Sequence, residues 1–221
     1  MKINTLFTIT MLGMMILSFS ACDGILEGIY DNPDAEETKE FGFIKTDAAT
    51  NSGTVYIDAT GYERWTFISF HTQKIDSVNV SNPEQAEPEE WDIAIHRYDA
   101  KTNGGAVLET GFTGFSALRN AGKMPEGTYM ADIWTTDKIA IDMSGMMDGN
   151  IVYMESYFNE ELSKWLNVDK SNMPPTYTPS NKVYMVKLKD GTYVAVRLTN
   201  YMNGKAVKGF MTIDYIYPFE L

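Results

Sequence analysis

The sequence predicts an all-β fold: one domain of antiparallel strands and hairpins with a single short helix. Three observations lead there. Segments that alternate apolar and polar residues, or are rich in β-branched and aromatic ones, recur along the chain; that period of two suits strands with one buried face. Asn-Gly, Asp-Gly and Gly-Gly pairs stand between several of them, and such pairs tolerate the positive φ of tight hairpin turns. Only one segment has the spacing of an amphipathic helix.

Lys2 and the apolar run Leu6–Phe19, then Ser20 and Ala21 ahead of Cys22, have the layout of a secretory signal, and the run is short for a permanent membrane span. The junction SFSAC resembles a bacterial lipoprotein signal, although Phe19 stands where Leu is usual. Residues 1–21 are therefore expected to be a lipoprotein signal peptide, with Cys22, the chain's single cysteine, lipidated. Residues 22–45 are acidic and aperiodic and are expected to form a flexible tether. The domain, taken as 46–221, begins somewhere between Phe41 and Thr54. Its roughly 170 residues suit one core and are few for two.

Within it, strands are expected at Thr54–Ala59, Arg64–Phe70, Trp91–Tyr98, Lys182–Lys189, Thr192–Tyr201 and Gly209–Phe219. Asn103-Gly104-Gly105, Asp190-Gly191 and Asn203-Gly204 supply turns, so the last three strands should form a meander. Phe158, Leu162, Trp165 and Leu166 share one helical face, Ser156 or Asn159 can cap it, and Glu160 and Glu161 suit its positive end, predicting a helix over Asn159–Leu166. The following NVDKSNMPPTYTPSN contains three prolines and reads as a long ordered loop or a mobile flap. SVNVSNPEQAEPEEW, before the Trp91 strand, reads as a solvated acidic connection.

A net charge of -12 argues against nucleic acid, which needs a basic face. It argues equally against anionic lipid head groups, leaving the lipid anchor as the membrane link. With Cys22 spent on that anchor, neither disulfides nor a Cys-based zinc site is available. The chain has no G-x-S-x-G, Walker, G-x-G-x-x-G or H-E-x-x-H motif and only two histidines, so an enzyme is not expected. Paired carboxylates alone stay open.

His96, inside WDIAIHRY, reads as a hydrogen-bonded structural histidine, and His71, at a strand end, as either surface or site. Met185 and Met211 fall in strands and are expected in the core, where a flexible thioether fills gaps. Met146, Met147 and Met173 lie in turn-rich or proline-rich sequence. Such residues either pack under a loop or line a ligand pocket, and pattern alone leaves both open.

The blocks WDIAIHRYDAKTNGGAV, PPTYTPSNKVYMVKLKDGTYVAVRLTNY and KGFMTIDYIYPF, in that order, resemble the HmuY family of haem-binding lipoproteins from Bacteroidota, from about Thr54 to the C-terminus. The resemblance implies haem b, iron protoporphyrin IX, held between two ligand-binding loops at one end of an all-β fold. It also implies a haemophore, lipid-anchored in the outer membrane and exposed at the cell surface, that passes haem to an outer-membrane receptor; homo-oligomerisation stays open. The best-known member holds iron with one histidine from each loop. The corresponding Met143–Asn150 and Asp169–Pro175 contain no histidine, but they do contain Met143, Met146, Met147 and Met173. By resemblance, Met146 and Met173 are the expected axial ligands, with Met143 and Met147 as alternatives for the first. Tyr177 and Trp165, together with Tyr153 and Tyr157, are expected over the porphyrin, and Lys164 or Lys170 at its propionates. Thioether ligation raises the reduction potential relative to imidazole, so affinity is expected to rise on reduction. Two other readings remain: the same fold holding an iron-free porphyrin or other apolar molecule, and a surface adhesion or assembly module whose methionines only pack.

Overall fold

A computed structural model describes residues 41–80, 82, 84–171 and 174–221. The expected signal peptide, Cys22 and the expected tether up to residue 40 lie outside the described residues. The first strands are β1 (Gly42–Asp47), β2 (Ser52–Asp58), β3 (Arg64–Ser69), β4 (Lys74–Asn79), β5 (Ile93–His96), β6 (Asp99–Thr102) and β7 (Ala106–Glu109). Helix α1 (Phe115–Asn120), β8 (Met130–Ala131), β9 (Ile133–Gly145), β10 (Asn150–Phe158) and helix α2 (Glu160–Ser163) follow. Then come β11 (Leu166–Asp169), β12 (Thr176–Pro179), β13 (Tyr184–Lys187), β14 (Tyr193–Met202) and β15 (Lys208–Ile216).

These strands make a seven-stranded sheet, β1-β2-β15-β14-β13-β7-β8, a four-stranded sheet, β4-β3-β5-β6, and two separate hairpins, β9–β10 and β11–β12. Every described pairing is antiparallel. The main core lies between the sheets, where Val55, Ile57, Val186, Val196 and Ile213 meet Ile68, Ile93 and Ile95. The other face of the four-stranded sheet is also covered, since Trp65, Phe67 and Trp91 pack with Ile139 of β9 and Phe158 of β10. That is why β3 and β5 read as nearly continuous apolar runs: both of their faces are buried. A third cluster places Leu118 of α1 and Phe219 over Met185 and Ala195 on the outer face of the larger sheet.

The expected meander is present as β13–β14–β15, with Gly191 at φ +90 in its first turn. The sheet begins at Gly42, inside the expected interval Phe41–Thr54. Several expectations need correction. The Trp91–Tyr98 segment is strand only over Ile93–His96, because Arg97 adopts φ +55 and turns the chain directly into β6. Among the described residues there are two short helices where one was expected, and α2 ends at Ser163, with Leu166 already the first residue of β11. The three-proline stretch contains part of a hairpin: Leu166 pairs with Pro179 and Asp169 with Thr176. A proline is compatible with that position because β12 is an edge strand, where a missing N–H costs no ladder bond.

Candidate functional site

The site starts from Asn159, which is completely buried. Its Oδ1 accepts from Leu162 N at 2.8 Å as the cap of α2, while its Nδ2 donates to Met130 O at 3.0 Å and Asp132 Oδ1 at 2.8 Å. Asp132 in turn accepts from Thr102 N at 2.7 Å and Thr102 Oγ1 at 3.0 Å. One amide and one carboxylate thus join β6, the start of β9 and α2. Ala100 N donates to Ser163 Oγ at 2.9 Å, and the Trp165 indole N–H donates to Tyr98 O at 2.9 Å. Both hairpins therefore leave the body from a hydrogen-bonded base.

The β9–β10 hairpin ends in a 3-10 turn over Met146–Asp148, followed by Gly149 at φ +77, whose N–H donates to Met146 O at 3.1 Å. A Cβ on Gly145 would lie 2.5 Å from Asn150 O, so only glycine lets the two strands close at the tip. The glycines of MSGMMDG thus build a turn that carries three methionines. Opposite stands the β11–β12 hairpin. Between the two lies the β5–β6 turn, where the Arg97 guanidinium bonds Thr60 O, donates to Tyr98 Oη at 2.8 Å and lies 4.6 Å from the Tyr62 ring centre. Gly209 makes room for it, since a Cβ there would come within 2.9 Å of Arg97 Nη1.

These elements enclose a cavity of about 1050 Å3, at the upper end of the ~300–1,000 Å3 common for small-molecule sites. Met143, Met146, Met147, Ile151 and Val168 give it an apolar lining, and Tyr62, Tyr98, Tyr153 and Tyr177 add rings with a polar edge. Tyr177 is held in place by Tyr98, whose hydroxyl donates to it at 3.3 Å, and by stacking on Tyr201 with ring centres 5.8 Å apart. The charged lining is biased: four of the chain's 18 Lys and Arg residues line the cavity, against two of its 30 Asp and Glu. The cations are Arg97, Lys138, Lys164 and Lys170, and the acids Asp99 and Glu160. Lys164 is paired with Glu161 at 2.7 Å, whereas Lys138 and Lys170, one from each hairpin, form no ion pair among the described residues. Burial pushes the Asp99 carboxyl up to about 6 although Lys170, Arg97 and Lys138 pull against it. Burial also drives His96 down to about 4, so its ring is neutral and Nε2 donates to Tyr62 O at 2.6 Å.

The structure brings Met143, Met146, Met147, Tyr153, Tyr177, Lys164 and Lys170 to this cavity. Met173 lies outside the described residues, though its neighbours Lys170 and Pro175 line the same space. Trp165 does not line it: the residue is wholly buried in the main core beside Leu162 and Leu166. Tyr157 turns outward and meets Trp134 edge to face at 5.2 Å. His71 sits elsewhere, bridging Asp92 and Asp190. Sequence reasoning missed Lys138, Ile151, Arg97, Tyr98 and Asp99. A signal for the first was present, since KIAIDM alternates Ile139, Ile141 and Met143 with polar or small residues.

Comparison with protein families matches residues 61–215 to the family described as HmuY protein. Among solved structures, a protein from Bacteroides vulgatus described as HmuY-like and haem-binding is 84% identical, with a TM-score of 0.80, covering 82% of this chain and 100% of that one. A protein from Bacteroides fragilis described as a lipoprotein is 57% identical, with a TM-score of 0.80 and coverage of 84% and 100%. The apo HmuY analog of Tannerella forsythia is 29% identical, with a TM-score of 0.63 and coverage of 74% and 94%. Comparison with curated proteins finds no match.

Proposed function

This chain belongs to the HmuY family, and from that premise we propose that it captures haem in the cleft between the β9–β10 and β11–β12 hairpins and passes it on unchanged. The observation that carries this reading is the lining of the cleft. A chain of net charge -12 gathers four cations there, two of them lysines from opposite hairpins without an ion pair among the described residues, around methionines and tyrosines. That combination suits a flat apolar ring with two carboxylates. The donor set fits haem b, since thioethers are accepted axial ligands and the one imidazole lining the cleft, His96, is committed through Nε2 to Tyr62 O.

In this reading Met146 supplies the ligand from the hairpin tip, with Met143 and Met147 beside it, and Met173 supplies the ligand from the facing hairpin. Tyr177 and Tyr153 pack against the ring, and Lys138 and Lys170 meet the propionates. Neutral thioethers favour ferrous over ferric iron, so reduction tightens the grip. Acylated Cys22 tethers the protein to the outer membrane, facing outward, where an outer-membrane receptor takes the haem. One observation favours a second reading, an adhesion or assembly module: Trp134 and Tyr157 are each 56% exposed on the outer side of the hairpin.

An absorbance titration of haem into protein beginning at Asp23, in air and under dithionite, separates the two. The haem reading expects low-spin ferrous bands, tighter binding on reduction, and loss of those bands in both Met146→Ala and Met173→Ala. A spectrum identical to free haem in either oxidation state returns the methionines to packing.

A further inference from the structure

Asp99 follows the Arg97-Tyr98 turn at the start of β6 and lines the cleft. Its carboxylate accepts no hydrogen bond and forms no ion pair among the described residues. Arg97, two residues before it, is already committed to Thr60 O and the Tyr98 hydroxyl. Lys138 of β9 and Lys170 beyond β11 act on it through space. From α2, Glu160 and Lys164 face the same cavity, and His96 of β5 is its register partner. Tyr98 and Tyr177, whose hydroxyls bond to each other at 3.3 Å, line the same cavity. The half-buried Asp99 carboxylate thus faces the cleft without a protein partner of its own, so its charge is set by the surrounding cations and by whatever occupies the cleft.

We propose that Asp99 is the release group of this cleft: its carboxylate competes with the carboxylates of the ligand for Lys138 and Lys170, so that protonation tightens the hold and ionisation loosens it. The inference rests on the reading of the cleft as a haem site. Asp99 titrates at about 6 in the ligand-free protein. Two further carboxylates nearby raise it again in the complex, by roughly one unit for a like charge within reach. The complex therefore takes up a proton on forming. Affinity is full below the free value, falls about tenfold as pH rises through the next unit, and is level above that. His96, neutral because it titrates at about 4, contributes nothing in this window.

The test is a haem titration by absorbance from pH 5.5 to 8 with wild type and Asp99→Asn, which keeps the shape and removes the charge. The ligand's own carboxyls titrate alike in both, so the difference between the curves isolates Asp99. Equal affinities at pH 5.5 and about tenfold tighter binding by Asp99→Asn at pH 8 are expected. Parallel curves overturn the inference while leaving the haem reading standing; absence of haem binding by wild type at every pH overturns both. A 13C titration of the Asp99 carboxyl with and without haem serves if Asp99→Asn fails to fold, and an unshifted midpoint also overturns the inference.

Discussion

His71 bridges two carboxylates, Asp92 at 2.9 Å on Nδ1 and Asp190 at 3.0 Å on Nε2, and so ties the end of β3 to the β13–β14 turn. Burial pulls the ring down, but the hydrogen bonds to Asp190 and Asp92 outweigh it, and His71 is raised above its ordinary 6.5. Hydrogen bonding from His71 holds Asp190 at about 2. A raised histidine contributes stability that is complete below its unfolded value and is lost as pH rises through the folded one. Between pH 6 and 8 the thermal midpoint of wild type should therefore fall more than that of His71→Gln; coincident slopes in melts across this range would remove the bridge from the account. Asp190 works oppositely, its contribution fading only as pH falls from 3.8 toward about 2. Asn159 is a second residue with more than one task. Asn159→Ala removes the cap and leaves half-buried Asp132 short of a donor, at an expected cost of about 2–4 kcal/mol in urea unfolding. The two methionines of the tip also differ, with Met146 37% exposed and Met147 86%. Met147→Ala should accordingly change haem binding far less than Met146→Ala in the same titration.

At the scale of elements, the β9–β10 hairpin is anchored at one end and exposed at the other, where the proposed ligand Met146 lies. Ile139 and Phe158 pack on the four-stranded sheet, while the Met146–Asp148 turn is exposed and touches no core cluster. Gly145→Ala places a methyl group against Asn150 O and Asn150 Cβ, so the tip must open. The expected outcome is a loss of haem affinity of about tenfold or more, with a thermal midpoint shifted by only ~2–4 °C. A large drop in the midpoint would show that the tip supports the fold. The hairpins were also the least legible elements. Only part of β9 meets a core, so its alternation is diluted by exposed Trp134, Thr136 and Asp137. In β11–β12 the prolines obscured a strand that they merely bound, with Pro175 just before it and Pro179 as its last residue. The meander was legible because both faces of its pattern are enforced, with Tyr184 and Val186 on the main core and Met185 on the outer one.

Across the whole molecule, charge is distributed against the average: net -12 overall, yet more cations than acids along the cleft. If the ligand's carboxylates meet Lys138 and Lys170, haem dimethyl ester should bind about tenfold more weakly than haem. That gap should narrow with salt, since exposed charges are screened. Equal affinity for both forms at low salt would leave the cations without a part in recognition. The β class and the closing meander were already legible along the chain, because alternation and turn chemistry are local properties. The sequence also pointed to the methionine turn and the haem-binding family. Which side chains share the cleft depends instead on long-range packing. Trp165 and Tyr177 are both aromatic and twelve residues apart, yet one fills the core and the other lines the cavity. Arg97, Asp99 and Lys138 meet there although no motif joins them. That division depends on which distant segment packs against each face, a non-local contact that no spacing along the chain encodes.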